Sequence, residues 1–153
     1  MRHPVEPLSW RQIHDLEVRE DYPAAIDALE ARLADDASDR EAVIRLGFNL
    51  WYAAVEDMRM GTNLPVQKYA ARFVQLFRQY ADRFSSDADF CWAFGLGMSL
   101  YSYNFPGTTE AEGNRLLDRA CTLDPMWRLL LEQGAETSRL KGRGIFAAYY
   151  NVA

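Results

Sequence analysis

The stretch from Asp21 to Tyr52, DYPAAIDALEARLADDASDREAVIRLGFNLWY, constrains the fold more than any other part of the chain. Ala25, Ile26, Leu29 and Leu33 recur at helical spacing and define one apolar face. Asp21 precedes Pro23, a residue tolerated in the first turn because its missing N–H has no partner there anyway. The polar run Asp35 to Asp39 then reads as a tight turn ending in a new N-cap. Beyond it Val43, Leu46, Phe48, Leu50, Trp51, Ala54 and Val55 cover more than one side of the next helix, so that helix must be sandwiched between others. Two helices joined by so short a turn fold back on each other, and the expected class is all-α, an array of antiparallel helical hairpins with about seven helices.

The remaining chain extends this pattern. Ser9 and Gln12 at capping-box spacing start a short first helix with Trp10, Ile13 and Leu16 on one face. The third helix is expected from Arg40 to Asp57, and a breaker cluster at Gly61 to Pro65 leads to a fourth over Val66 to Phe84 with the stripe Tyr69, Phe73, Leu76, Phe77 and Tyr80. Ser85, Ser86 and Asp87 cap a fifth helix, Ala88 to Tyr103, in which Gly95 and Gly97 cost about 1 kcal/mol each against Ala and are explained by close helix contact. Thr109 caps a sixth helix ending near Leu123, Asp124-Pro125 opens a seventh through Arg139, and the tail from Lys141 is a turn with a short final helix. One domain spans 1–153, with 1–8 as a flexible start and 141–153 as a tail packing on the last helices. With 49% apolar and 13% aromatic residues, a chain of 153 residues has the material for a core without metals or disulfides.

Leu46-Gly47-x-x-Leu50 recurs fifty residues on as Leu96-Gly97-x-x-Leu100. Tyr22, Ala25, Ile26, Leu29 and Leu33, followed by Leu46-Gly47 and later by Ala120 and Asp124-Pro125, resemble the tetratricopeptide repeat family. The resemblance implies a right-handed superhelical array in which the first helices of successive hairpins line a concave groove. Arg32 stands where that family has a small residue, Ala37 where its closing proline falls, and the interval exceeds the family's roughly 34 residues, so the array is TPR-like rather than regular.

The layout as a whole carries a second resemblance. Trp92, Phe94 and Gly95 in the fifth helix, the Tyr103-Asn104-Phe105-Pro106-Gly107 break, the Asp124-Pro125 closure and the tail GRGIFAAYY are similar to immunity proteins of bacterial polymorphic toxins. That resemblance implies tight binding to a cognate toxin domain, either blocking its active site or holding it inactive, as in a toxin–antitoxin pair.

Charge is unevenly distributed. Residues 1–60 hold 7 Lys and Arg against 13 Asp and Glu, whereas residues 61–153 hold 10 against 9. An acidic N-terminal part of this kind serves solubility in many proteins; read functionally, it repels nucleic acid and anionic lipid and favours a basic protein partner. No apolar run approaches the roughly 18 residues of a membrane span, and a cytoplasmic location is expected. Cys91 and Cys121, isolated in apolar helical contexts, read as core. His3 and His14 have no second ligand at metal spacing, and His14 is expected on a helix surface. Adjacent carboxylates at Asp35-Asp36 and Glu56-Asp57 point apart on a helix. Lys141, Arg143 and their glycines suit a helix-ending turn better than an anion site. No catalytic residue, metal or cofactor is expected.

The candidate site is therefore a binding surface. In the register of Leu46-Gly47, Glu41, Ile44, Arg45, Phe48, Trp51, Tyr52 and Glu56 approach the groove, joined by Met98 and Tyr101 at the repeat offset. Aromatics and Arg are what protein contacts use as anchors, and about half of these residues are expected to be exposed, the rest joining the core. The leading expectation is an immunity protein holding a folded toxin domain with a basic surface. The alternatives are a TPR-type chaperone or adaptor gripping a peptide, and an enzyme whose site is assembled only in space. The seventh helix, with Trp127, Leu129, Leu130 and Leu131, either caps the array or pairs with a second copy as a homodimer.

Overall fold

Capping chemistry sets where each helix begins. In the computed structural model, which describes residues 6–60, 64–133, 140 and 143–150, Ser9 and Gln12 complete a reciprocal capping box at the start of α1 (Trp10–Val18). The Asp21 carboxylate accepts from Ala24 N at the start of α2 (Tyr22–Asp35), and Asp39 accepts from Ala42 N at the start of α3 (Arg40–Met60). Asp87 accepts from Asp89 N and Phe90 N to open α5 (Ala88–Tyr101), and Thr109 accepts from Glu112 N to open α6 (Glu110–Leu123). The other elements are α4 (Val66–Tyr80), a single 3-10 turn (Ser102–Asn104), α7 (Met126–Gln133) and a one-turn α8 (Ile145–Ala148). Among the described residues there is no strand, and the chain is all-α.

The boundaries differ from the sequence expectation in three places. α3 runs to Met60 rather than Asp57. α4 closes at Tyr80 instead of Phe84, although Ala81 keeps helical angles and Phe84 N still reaches Tyr80 O, so residues 81–86 continue as turns. α5 stops at Tyr101 and tightens into the 3-10 turn before Phe105. Residues 1–5, the Gly61 to Asn63 part of the breaker and the expected end of the seventh helix at 134–139 lie outside the described residues.

Consecutive helices pack as hairpins. α1 packs on α2, α2 on α3, α3 on α4, and α5 on α6, while α3 and α5 lie side by side. The repeated Leu-Gly pairs explain that last contact. A Cβ on Gly47 would strike the Phe94 ring, and one on Gly97 would lie 2.8 Å from Trp51 Cγ, so each helix sets an aromatic ring over the other's glycine. Trp51 also stacks on Tyr101, its counterpart one repeat later, at 5.9 Å. Gly95 lies against α6, where a Cβ would be 2.8 Å from Leu116 Cβ, confirming that both mid-helix glycines of α5 serve close approach. Phe73, Phe77, Phe90, Phe94 and Phe105 form a ring cluster between α4 and α5, with Phe73 and Phe105 centroids 4.5 Å apart. Cys91 and Cys121 are buried, as core residues.

α5 and α6 approach backbone to backbone at Gly113, where a Cβ would be 2.7 Å from the Met98 carbonyl carbon and 2.8 Å from Ser99 Cα. These are backbone atoms of a buried helix and do not yield as a flexible side chain does. Gly113→Ala gains about 1 kcal/mol of helix propensity but forces the helices apart, which costs about 1–3 kcal/mol. The net expectation is a lower urea midpoint with an unchanged slope.

Candidate protein-binding site

α3 presents to the centre of the molecule the face that the sequence assigns to a groove wall, and the chain's own tail lies on it. Phe146 of α8 is fully buried with its ring 5.1 Å from Phe48, and Tyr149 packs 5.6 Å from Phe48 and 5.9 Å from Trp51. Four of the sequence-nominated residues, Arg45, Phe48, Trp51 and Met98, are consequently buried, and Ile44 with them. They serve the core, covered by α8 and by the α3–α5 packing, and are the half of the nominated set that does not reach the surface.

Docking of the tail rests on charges placed inside the apolar layer. Glu17, on the same face of α1 as Ile13, is fully buried. Its Oε1 accepts from Arg45 Nε at 3.1 Å and from the same guanidinium's terminal nitrogen, and its Oε2 accepts from Asn49 Nδ2 and Ile145 N, each at 3.0 Å. Arg45 in turn lies 4.7 Å over the Trp10 ring. Gly144 has φ +59°, and a Cβ there would collide with the Glu17 carboxyl group, so glycine is required on both counts. Its N–H donates to His14 Nδ1 at 3.0 Å, which makes His14 a part-buried acceptor rather than the surface residue expected from sequence.

Arg143 completes the tail's attachment. Its guanidinium donates to both Glu41 carboxylate oxygens, at 2.7 and 2.8 Å, and to Asp89 Oδ2 at 2.9 Å, while Asp89 Oδ1 accepts from Trp127 Nε1 at 3.2 Å. Arg143 therefore does engage anions, and they are carboxylates of its own chain; Lys141 and Gly142 lie outside the described residues. The tail reaches back to α1 and α3 as well as to the later helices, where Phe146 lies 5.5 Å from Trp127 and the Tyr150 hydroxyl accepts from Trp92 Nε1.

What remains accessible converges on tyrosine. Tyr52, Glu56 and Tyr101 are partly exposed, as is Glu41, whose carboxylate is taken up by Arg143. Tyr149 is 38% exposed and Tyr103, on the 3-10 turn, 76%. Tyr52 and Tyr149 centroids are 6.1 Å apart, Tyr101 and Tyr103 are 6.3 Å apart, and Trp51 bridges the two pairs at 5.7–5.9 Å from Tyr52, Tyr149 and Tyr101. The middle of α3, the C-terminal end of α5, the 3-10 turn and the residues after α8 thus build one aromatic patch, continued at Tyr22, 6.0 Å from Tyr52. Burial raises the Tyr149 hydroxyl above its usual range, as does neighbouring Tyr101; Tyr22 is raised by burial and by the nearby acids Glu20 and Glu56. These phenols stay protonated at neutral pH, able to donate hydrogen bonds. Of the residues nominated from sequence, Tyr52, Glu56 and Tyr101 lie at this patch; Tyr103, on the 3-10 turn, and Tyr149, in the tail, fall outside the Leu-Gly register and its offset of fifty residues.

Among the described residues no group of His, Cys, Asp and Glu could hold a metal ion, and no helix is long and apolar enough to cross a membrane. Cys91 is held as a thiol, pushed up to about 11 by burial, with Sγ 3.7 Å from Ser85 O. A pKa raised on folding contributes stability below its unfolded value that is lost as pH rises. The urea midpoint is therefore expected to fall between the ordinary thiol value of 9.0 and about 11, and Cys91→Ala to lessen that fall. Glu17→Gln leaves the Arg45 guanidinium buried without its principal counter-charge, for an expected loss of about 3–5 kcal/mol in urea unfolding.

No protein-family model, curated protein or solved structure matches the chain.

Proposed function

We propose that this chain is a protein-binding module, most concretely an immunity protein that binds and neutralises a cognate bacterial toxin domain through the tyrosine patch formed by α3, α5, the 3-10 turn and the end of α8. The observation that carries the reading is the 76% exposure of Tyr103 within a continuous run of ring contacts through Tyr101, Trp51, Tyr149 and Tyr52. A tyrosine has only two side-chain torsions to fix, so each ring brings a large contact area at small entropic cost, with a hydroxyl to satisfy a polar group opposite. Glu56 beside the phenols and the acidic N-terminal half favour a basic partner surface, which speeds encounter more than it tightens the complex.

The adaptor reading, a peptide held in a concave groove by α3, is disfavoured because Phe146 and Tyr149 occupy that face. A folded partner meeting the aromatic patch fits better than an extended segment. The activity is binding, without turnover, in a cytoplasmic setting.

Co-expression with the product of the neighbouring open reading frame tests this directly. The expected outcome is a stable complex and protection of the host cell; absence of both would sink the proposal. Tyr103→Ala, at an exposed position, is expected to leave the unfolding midpoint within about 0.5 kcal/mol of the parent while weakening the complex by about 2 kcal/mol or more in calorimetry.

A further inference from the structure

A second surface lies along α1 and α2 and shares no lining residue with the tyrosine patch. Leu8, Leu16, Ala24, Ala28 and Ala31 wall a trough of about 520 Å³, with the carboxylates of Glu6 and Asp27 also lining it. The three alanines fall on one face of α2 and leave room where larger side chains would otherwise close the hairpin's outer side. Adjoining it, and sharing Glu6 and Pro7 with it, a second hollow of about 300 Å³ is lined by Arg32, Asp35, Asp36 and Asp39.

The charge of that second hollow is lopsided. Arg32, the one cation among the described residues that line it, is already committed. It donates to Asp39 Oδ2 at 3.1 Å and to Leu8 O at 3.0 Å, and lies 4.1 Å over the Trp10 ring. The Asp36 carboxylate accepts from Ser38 and is lowered chiefly by that bond, with Arg83 adding a weaker pull, so it stays ionised. Glu6 and Asp35 bring two further negative charges to the same rim.

We infer that this trough is a docking site for an amphipathic helix of a partner protein, one whose apolar stripe is followed by a pair of Arg or Lys residues. Along α2 the step from Ala24 to Ala31 rises about 10 Å and the step from Ala31 to Asp35 about 6 Å more. An occupant lying along α2 thus presents two turns of aliphatic side chains to the alanines and Leu16, then one turn of cations to Asp35, Asp36 and Glu6. Apolar fill alone would suit many helices; the acidic end selects the basic ones and rejects acidic ones by unpaired like charge. The site shares no residue with the tyrosine patch and does not depend on its function.

Titration of the intact protein with a synthetic helical peptide tests this, using leucines at i, i+4 and i+7 with two arginines one turn further on, placed at either end in two versions. Fluorescence anisotropy is expected to show saturable binding of one arginine version. That binding should weaken about tenfold or more when the arginines become glutamates, and likewise on Ala31→Trp, which fills the trough from an exposed position. Asp35→Lys combined with Asp36→Lys should lose the preference for arginine over glutamate, whereas Tyr103→Ala should bind as the parent does. Failure of both arginine versions to bind at millimolar peptide, equal affinity for the glutamate versions, or indifference to Ala31→Trp would each overturn the assignment.

Discussion

The carboxylate of Glu17 is the point on which three parts of the chain agree. One side chain from α1 receives Arg45 and Asn49 from α3 and a backbone N–H from α8, all inside the apolar layer. A lone ion there would cost several kcal/mol in lost hydration, and the arrangement is tolerable only because its donors are complete and aligned. That requirement reaches outward. Arg45 must turn inward, Gly144 must lack a side chain, and Ile145 must begin a helical turn aimed at the carboxylate.

From that contact the surface follows. With Ile145 held, Phe146 is carried between Phe48 and Trp127, and Tyr149 is carried to the rim beside Tyr52. Arg143 fastens the other side of the same segment to Glu41 and Asp89. The aromatic patch is therefore assembled from residues distant in sequence, with a buried ion pair setting the position of its exposed rim.

Local chemistry made the helices legible. Ser9, Asp21, Asp39, Asp87 and Thr109 announce helix starts because a short oxygen-bearing side chain is most useful where backbone N–H groups lack partners. Gly95 and Gly97 were readable because glycine weakens a long apolar helix and is worth that cost where a neighbouring helix leaves no room for a Cβ. The groove was another matter. Periodicity states that Phe48 and Trp51 share a face with Arg45; it does not state that a tail about a hundred residues later lies on that face. Glu17 left a faint trace, a carboxylate four residues after Ile13 on the apolar side, and so did Asn49 and Asp89 within apolar runs. A charged residue at a core position is a signal only when its partner is known, and here the partners come from the far end of the chain. Glu20, with φ +61° at the α1–α2 turn, had no sequence signal at all, since glutamate is not a residue that favours left-handed backbone.

The bond between Gly144 N and His14 spans 130 residues, and that between Ile145 N and Glu17 spans 128. Helical hairpins otherwise assemble from neighbours, quickly and with little chain entropy lost at each step. Closing so long a loop is a different event, slow because nearly the whole molecule must be in place before the contact returns any free energy. The chain thus combines the topology of an open stack with the kinetics of a closed ring. Until the ring closes, Glu17 and Arg45 are unsheltered and Phe48 lies open to solvent, so the interval before closure is when the chain is most exposed to proteases and to sticking to its own kind.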